Sequence, residues 1–153
     1  MKLHAINHDL TTQLWCGLAA MATITGKPTS ECRDMISAIR RNRRWLEPEA
    51  RVAIKGIEPA ELRLALEKSG FTATRLSVSD KPTLARYLRE REKSEMAELL
   101  LIVCGRHYVV VKGRKLIDSH TQVPVWIRQA PHRRKRVGSV VAIRSAIDKA
   151  QGR

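Results

Sequence analysis

Residues 13–26 read QLWCGLAAMATITG, a short apolar segment with a cysteine near its start. From Cys16 to Thr25 the side chains are small or apolar on nearly all sides, which is typical of a helix buried on most of its faces. Gly26 suits the left-handed residue that ends a helix, and Pro28 prevents the helix from continuing. The segment therefore predicts a buried helix that begins near Cys16 and ends at Gly26.

The position of Cys16 at the start of this helix has a chemical consequence. The unpaired N–H groups and the positive end of the helix dipole stabilise a thiolate in the first turn. Thiol enzymes prepare a nucleophile in this way. The alternative is that Cys16 is only a small hydrophobic residue in a buried helix. The cysteine by itself does not decide between a nucleophile and a core residue.

About ninety residues further on, the segment 99–118 reads LLLIVCGRHYVVVKGRKLID and predicts consecutive buried strands. A two-residue loop at 113–114 would join the last two strands as a hairpin, with Lys112 opposite Lys115. A loop of three residues would instead turn every later side chain to the other face.

The hairpin can bring a histidine and a carboxylate together. His107 and Val109 lie on one face of their strand because side chains alternate. With the two-residue loop, Asp118 lies opposite Val109 and diagonal to His107, within reach of long side chains. The chain order of cysteine, histidine and carboxylate is that of the thiol hydrolases.

Three short motifs resemble the papain-like cysteine peptidases, most closely the small bacterial and phage members of the C39-like group. They are CGLA at 16–19, GRHYVVV at 105–111 and LID at 116–118. The resemblance implies an α+β, papain-like fold. In that fold N-terminal helices, with the nucleophile at a helix start, pack on a C-terminal and mostly antiparallel sheet.

The resemblance also implies a role for each site residue. Cys16 would be the nucleophile, His107 the general base and acid, and Asp118 the residue that orients the imidazole. The family usually places an oxyanion-hole glutamine further upstream than Gln13, which lies three residues before the cysteine. Asp9 and Asn7 lie nearer the usual distance, but we assign the role to Gln13 because its amide can donate a hydrogen bond.

A second, smaller departure from the family pattern is Arg106, which stands between the glycine and the histidine of the second motif.

The length and the net charge of the chain indicate its domain organisation and its possible partners. At 153 residues the chain is long enough for one domain with its own core, and we expect a single domain over 1–153. The net charge is +14, and such a surface attracts polyanions. Two basic clusters could contact nucleic acid or simply be solvated: Arg40, Arg41, Arg43 and Arg44 beside Trp45, and Arg133, Arg134, Lys135 and Arg136.

The three cysteines have no disulfide-like or zinc-like spacing. We therefore expect a reducing compartment, no metal site and no cofactor, with Cys32 and Cys104 as inert core residues. No apolar run has the length of a signal peptide or a membrane span. These features predict a cytoplasmic protein, virion-associated if a phage encodes it, and leave the oligomeric state open.

The remaining elements follow from local patterns. His120 falls in a polar turn after Asp118, where it is a substrate contact, a rival of His107 or, as we expect, a solvent-facing residue. The expected elements are a helix capped by Thr29 or Ser30, an extended segment 51–57, a helix opened by Glu58 and Pro59 and ended by Gly70, a strand 71–78, a helix 82–93, an edge strand 123–127 and a final strand 139–143.

Two functions from different classes fit these observations. The first is a thiol hydrolase that cleaves a peptide, isopeptide or related amide of a protein substrate, with deamidase and acyltransferase sharing the same apparatus. The second is a catalytically silent, basic papain-like protein that binds nucleic acid or is virion-associated. A redox-sensor role for Cys16 is weaker because no resolving cysteine lies nearby in the sequence.

Overall fold

The apolar strands of the chain pair into one antiparallel sheet in the computed structural model, which describes residues 1–41 and 54–147. The order of its six strands is β1-β6-β2-β3-β4-β5. The strands are β1 Phe71–Leu76, β2 Leu99–Cys104, β3 His107–Lys112, β4 Lys115–Ile117, β5 Val125–Trp126 and β6 Val137–Ser145. The helices are α1 Cys16–Thr25, α2 Thr29–Arg41, α3 Pro59–Lys68, α4 Leu84–Glu90 and α5 Lys93–Ala97.

The α+β class and the antiparallel sheet are as the sequence predicts. No helix in the described part of the chain has the length and apolar character needed to cross a membrane.

Strand β2 and the central residues of β3 are apolar because both faces of these strands are covered. One face packs with α1, α2 and α3, and the other packs with α4. Alternate residues therefore enter two different cores. The α1 side takes Leu99, Leu101, Tyr108 and Val110, and the α4 side takes Leu100, Ile102, Val109 and Val111.

Helix α1 has the predicted bounds, Cys16–Thr25, and its residues 17–24 are buried. Gly26 ends it in the left-handed conformation with φ 73°. Helix α2 begins at Thr29, and the cap expected from Thr29 or Ser30 is instead supplied from elsewhere in the chain. The carboxylate of Asp9 accepts hydrogen bonds from the Ser30 backbone N–H at 2.8 Å and from the Thr29 hydroxyl at 3.2 Å.

Helix α3 has Pro59 in its first turn, as predicted, with a capping box between Glu58 and Glu61. Gly70, with φ 88°, follows its end. Residues 51–53 of the expected extended segment lie outside the described residues, while 54–58 form no helix or strand.

The predicted helix over 82–93 is instead two helices. The hydroxyl of Thr83 caps α4 by accepting from the Arg86 backbone N–H at 3.2 Å, and the chain is extended at Arg91 and Glu92 before α5 begins. Helix α5 was not expected as a separate element, because none of its five residues is buried and it therefore has no apolar stripe.

Strand lengths also differ from the expectations. Strand β6 is longer than the predicted 139–143 because it pairs with β1 on one side and with β2 on the other. Strand β1 stops at Leu76 rather than 78. Strand β5 lies at the edge of the sheet, as predicted, but only Val125–Trp126 pair.

Candidate active site

Cys16 is the first residue of α1, which packs against β3. Trp15 precedes it in an extended conformation with φ −89° and ψ 149°, and no side chain caps the helix. The N–H groups of the first turn are therefore not taken by a capping side chain, and they stabilise negative charge on the sulfur or on a bound oxyanion.

The residue after Cys16 must be small. A Cβ atom on Gly17 would lie 2.8 Å from the side chain of Ile57, well inside van der Waals contact. The Tyr108 hydroxyl donates a hydrogen bond to the Ile57 carbonyl oxygen at 2.9 Å. Gly17 therefore lets the segment before α3 close over the start of α1, and Tyr108 ties that segment to β3.

His107 begins β3, directly after a tight turn. Gly105 and Arg106 both have positive φ, 55° and 64°, and Cys104 pairs with His107 across the turn. Two residues with positive φ form the type I′ turn that joins twisted antiparallel strands. Arg106 is thus the second residue of this turn, which explains how an extra residue fits between the glycine and the histidine.

The hairpin of β3 and β4 has the predicted register. Lys112 pairs with Lys115 across a two-residue loop, and Val110 pairs with Ile117. Asp118 directly follows β4, and His107 Nε2 lies 3.2 Å from Asp118 Oδ2. The structure therefore confirms that the hairpin brings the imidazole and the carboxylate together.

Asp118 is 2% exposed and fully hydrogen-bonded. Its Oδ1 accepts from the backbone N–H groups of His120 and Thr121, each at 2.9 Å, while Oδ2 faces His107. Burial raises the pKa of this carboxyl, but the hydrogen bonds from His107 and from these backbone groups outweigh burial and lower it. Asp118 is thus held as a carboxylate that faces the imidazole.

The Cys16 sulfur and the His107 ring are close enough for a hydrogen bond between them to contribute to the pKa of each group. Because Nε2 faces Asp118, Nδ1 is the ring nitrogen left for the sulfur. Burial raises the pKa of the Cys16 thiol, but this hydrogen bond, the Tyr108 backbone N–H and the imidazolium charge prevail and lower it. Burial likewise lowers the pKa of His107, but hydrogen bonds with Asp118 and Cys16 raise it to about 9. These opposite shifts favour a thiolate–imidazolium pair.

The other two cysteines lack this environment. Cys32 and Cys104 are fully buried, and burial raises the pKa of each thiol to about 11. All three cysteines are free thiols. Cys16 is the one whose environment favours the reactive form.

Two histidines that were not assigned to the site from the sequence also lie here. The ring of His107 has its centroid 5.3 Å from that of His120 and 4.4 Å from that of His132. Burial and the charge of His107 lower the pKa of His132. The three histidines are far apart in the sequence, with no ligand-like spacing, so no local pattern could have linked them.

Gln13 is exposed and lies just before α1, three residues from Cys16. Its role in an oxyanion hole stays a prediction. Asp9, the acidic alternative, caps α2 through Ser30 and Thr29. Its carboxylate is therefore committed away from the nucleophile.

The second basic cluster is next to the site. Residues 133–136 are exposed, and the Arg136 carbonyl oxygen accepts from the Gly105 backbone N–H at 3.2 Å. That turn directly precedes His107, so this basic segment lies beside the cluster of Cys16, His107 and Asp118. A polyanion role for it stays a prediction.

The first basic cluster is partly engaged within the protein. Arg40 Nε donates to Glu61 Oε2 at 2.8 Å, and another guanidinium N–H donates to the Gly56 carbonyl oxygen at 2.6 Å. Arg41 is exposed, whereas Arg43 and Arg44 lie outside the described residues. The guanidinium of Arg40 is therefore occupied by contacts with α3 and with the segment that precedes α3.

Comparison with known proteins assigns no family to this chain. No protein-family model matches the sequence. No curated protein matches it either. The chemistry of the site is therefore inferred from the geometry around Cys16, His107 and Asp118 and from the resemblance of three short motifs.

Proposed function

We propose that this protein is a papain-like thiol hydrolase that cleaves an amide bond through Cys16, His107 and Asp118. The observation that carries the proposal is that the His107 ring contacts the buried Asp118 carboxylate at 3.2 Å and also interacts with the Cys16 sulfur, whose pKa it lowers. A nucleophile, a base within hydrogen-bond reach and a third group that orients the base form the general pattern of covalent catalysis. The start of an uncapped helix supplies further N–H donors at the same place.

The reaction begins with attack of the Cys16 thiolate on the substrate carbonyl carbon, which forms a C–S bond and an oxyanion. The backbone N–H of Cys16 and the Gln13 side chain would hold the oxyanion, and such a donor is commonly worth about 3 kcal/mol in the transition state. His107 then gives its proton to the leaving amine as the C–N bond breaks. His107 next takes a proton from water, which attacks the thioester and releases the acid and the thiolate. Asp118 fixes the orientation of the imidazole throughout.

The substrate we propose is a peptide or isopeptide bond in a protein. The basic segment 133–136 flanks the triad, so an acidic sequence beside the scissile bond would be favoured. A deamidase or an acyltransferase would use the same first step and differ in the group that accepts the acyl chain. The papain-like fold is supported by the helix that carries the cysteine and by the antiparallel sheet that carries the histidine. A cytoplasmic location, or a place in a virion, belongs to the same proposal.

The test is the rate at which iodoacetamide alkylates Cys16 as a function of pH, measured by mass spectrometry in EDTA. A thiolate–imidazolium pair reacts well below pH 8.5, the pKa of a free thiol. We expect this low-pH reactivity in the wild type and its loss in His107→Ala. Cys32 and Cys104 serve as internal controls, because both are buried and should stay unmodified in the folded protein.

A slow, ordinary thiol profile that His107→Ala leaves unchanged would contradict the proposal. The matched control is His4→Ala, a histidine whose backbone N–H bonds to the Thr23 carbonyl oxygen, away from the triad. It should leave the profile as in the wild type. If His4→Ala lowers the reactivity as much as His107→Ala does, the effect is general and not that of a triad.

A second function is favoured by one specific observation, the run of four exposed basic side chains at 133–136. On this reading the chain binds nucleic acid through phosphate contacts. Affinity for a short duplex should then fall steeply as salt is raised, and neutralising Arg133 and Arg134 should reduce the slope. No binding at low salt would discard this second function without affecting the first.

A further inference from the structure

His107, His120 and His132 form a cluster in which one potential ligand atom from each residue lies within 4.8 Å of the others. The three ring centroids are 4.4, 5.1 and 5.3 Å apart. Imidazole nitrogens are the commonest protein ligands of zinc and related transition metals. The cluster therefore has the chemistry of a metal site.

The backbone holds each of these residues in place. His120 follows Asp118, whose Oδ1 accepts from its backbone N–H. The loop that carries His132 is tied to the start of α4, because the Leu84 N–H donates to the Lys135 carbonyl oxygen at 2.8 Å and the Ala85 N–H donates to that of Arg133 at 3.0 Å. The histidines are thus fixed by three separate segments of the fold rather than gathered on one mobile loop.

A second observation points to a ligand. The Nε2 atom of His132 is buried and has no hydrogen-bond partner among the described residues. A buried polar atom without a partner costs free energy, which a bound ion would recover. His107 also has the carboxylate partner that usually orients a metal-bound histidine, since its Nε2 faces Asp118.

We propose that His107, His120 and His132 bind a divalent transition-metal ion such as Zn²⁺, and that the bound ion inactivates the thiol. Zinc bonds to imidazole nitrogen at about 2.0–2.1 Å, so tetrahedral ligand atoms lie about 3.4 Å apart. The ligand atoms, now within 4.8 Å of one another, must therefore approach by at most about 1.4 Å to bind one ion. Three histidines leave the fourth position of the ion to water or another small ligand.

Inactivation follows from the two nitrogens of His107, and this consequence rests on the proposed function. Nε2 faces Asp118, which leaves Nδ1 as the nitrogen available to the Cys16 sulfur. A metal ion takes the lone pair of one nitrogen. Binding through Nδ1 removes the base from the sulfur, and binding through Nε2 removes the carboxylate from the base. Either geometry leaves Cys16 without a working partner.

The binding test uses the metal-free full chain with Zn²⁺ in titration calorimetry and Co²⁺ in absorption spectroscopy. His132→Asn is the key variant because residue 132 has φ 61°, a left-handed conformation that asparagine tolerates. We expect saturable binding by the wild type and at least about 30-fold weaker binding by His132→Asn and by His120→Asn. His4→Asn, a histidine outside the cluster, should bind as the wild type does.

Binding by the wild type that both cluster variants leave unchanged would overturn the site, and so would a wild type that binds neither ion. Circular dichroism of each variant shows that a loss of binding is not a loss of fold. Because these readouts do not involve the thiol, they are independent of the proposed hydrolase activity.

The second readout is the ratio of Cys16 alkylation rates in Zn²⁺ and in EDTA. We expect Zn²⁺ to slow alkylation at least about tenfold in the wild type and to have little effect in His132→Asn. Equal slowing in both proteins would mean that the metal binds the thiolate directly, and it would overturn the three-histidine mechanism. If Cys16 in EDTA is alkylated only at the rate of an ordinary thiol, the hydrolase proposal fails. The metal site is then judged by the binding data alone.

Discussion

Replacing Asp118 by asparagine tests whether the carboxylate keeps His107 charged. The carbonyl oxygen of the introduced amide would still accept from the backbone N–H groups of His120 and Thr121, so the turn can keep its shape. The variant loses the negative charge of the carboxylate, whose Oδ2 lies 3.2 Å from His107 Nε2 in the wild type. The perturbation is thus electrostatic and nearly isosteric.

The pKa of His107 sets the size of the expected effect. Its value in the folded protein is about 9, against 6.5 for an unperturbed histidine. At 1.36 kcal/mol per unit, the difference corresponds to about 3 kcal/mol in favour of the charged ring. This figure is a net effect, because burial lowers the pKa while Asp118 and Cys16 raise it, so it is not the contribution of Asp118 alone. If the pKa of His107 fell from about 9 to 6.5, the protonated fraction of its ring at pH 7.5 would fall from about 97% to about 9%.

The measurement is a titration of the histidine rings by NMR in EDTA, together with Cys16 alkylation at pH 6.5. We expect the pKa of His107 to fall by at least about one unit in Asp118→Asn, because burial of the ring is then less opposed. With fewer charged rings beside it, less of Cys16 is thiolate below pH 8.5 and alkylation slows. Asp9→Asn is the matched control, since it removes an equal charge from a carboxylate that caps α2. A His107 pKa that stays within about 0.3 units of the wild-type value would refute the assigned role of Asp118.

Two further substitutions test the scaffold around the site. Gly17→Ala places a Cβ 2.8 Å from Ile57 and should lower the free energy of unfolding in urea by about 1–3 kcal/mol. In the control Gly56→Ala the added Cβ meets nothing within 4 Å, so the free energy of unfolding should stay unchanged. Equal effects of the two substitutions would contradict the packing role of Gly17. Arg40→Ala removes the ion pair at 2.8 Å with Glu61, whose side chain is 4% exposed, and should destabilise the protein by about 1–3 kcal/mol. Arg41→Ala, on the exposed end of α2, should cost less than about 0.5 kcal/mol. A small effect of Arg40→Ala would show that the pair adds little stability.

The sequence predicted best those elements whose ends or turns are marked by particular residues. Gly26 marks the end of α1, and the two-residue loop at Gly113 fixes the register of the hairpin. Because register decides which side chains share a face, that loop also predicted the contact of His107 with Asp118. Local backbone chemistry was sufficient for this part of the site.

The parts that were missed depend on distant segments. His132 lies beside His107 only because its loop folds back on the start of α4, through backbone hydrogen bonds between residues about fifty positions apart. The cap of α2 comes from Asp9, some twenty residues upstream, and Arg40 reaches Glu61 on another helix. No periodicity or spacing carries such information, since it arises from the tertiary arrangement.

The position of β6 has a consequence for the order in which the protein matures. This strand is the last of the described chain, yet it lies between β1 and β2 in the sheet, so β1 joins the other strands only through it. Non-local pairing of this kind forms late, because the intervening chain must first be brought together. During synthesis Cys16 leaves the ribosome long before His107 and Asp118, and before the strand that completes the sheet. A nascent chain would therefore carry an ordinary thiol, and its reactivity would appear only after the chain through β6 has been synthesised.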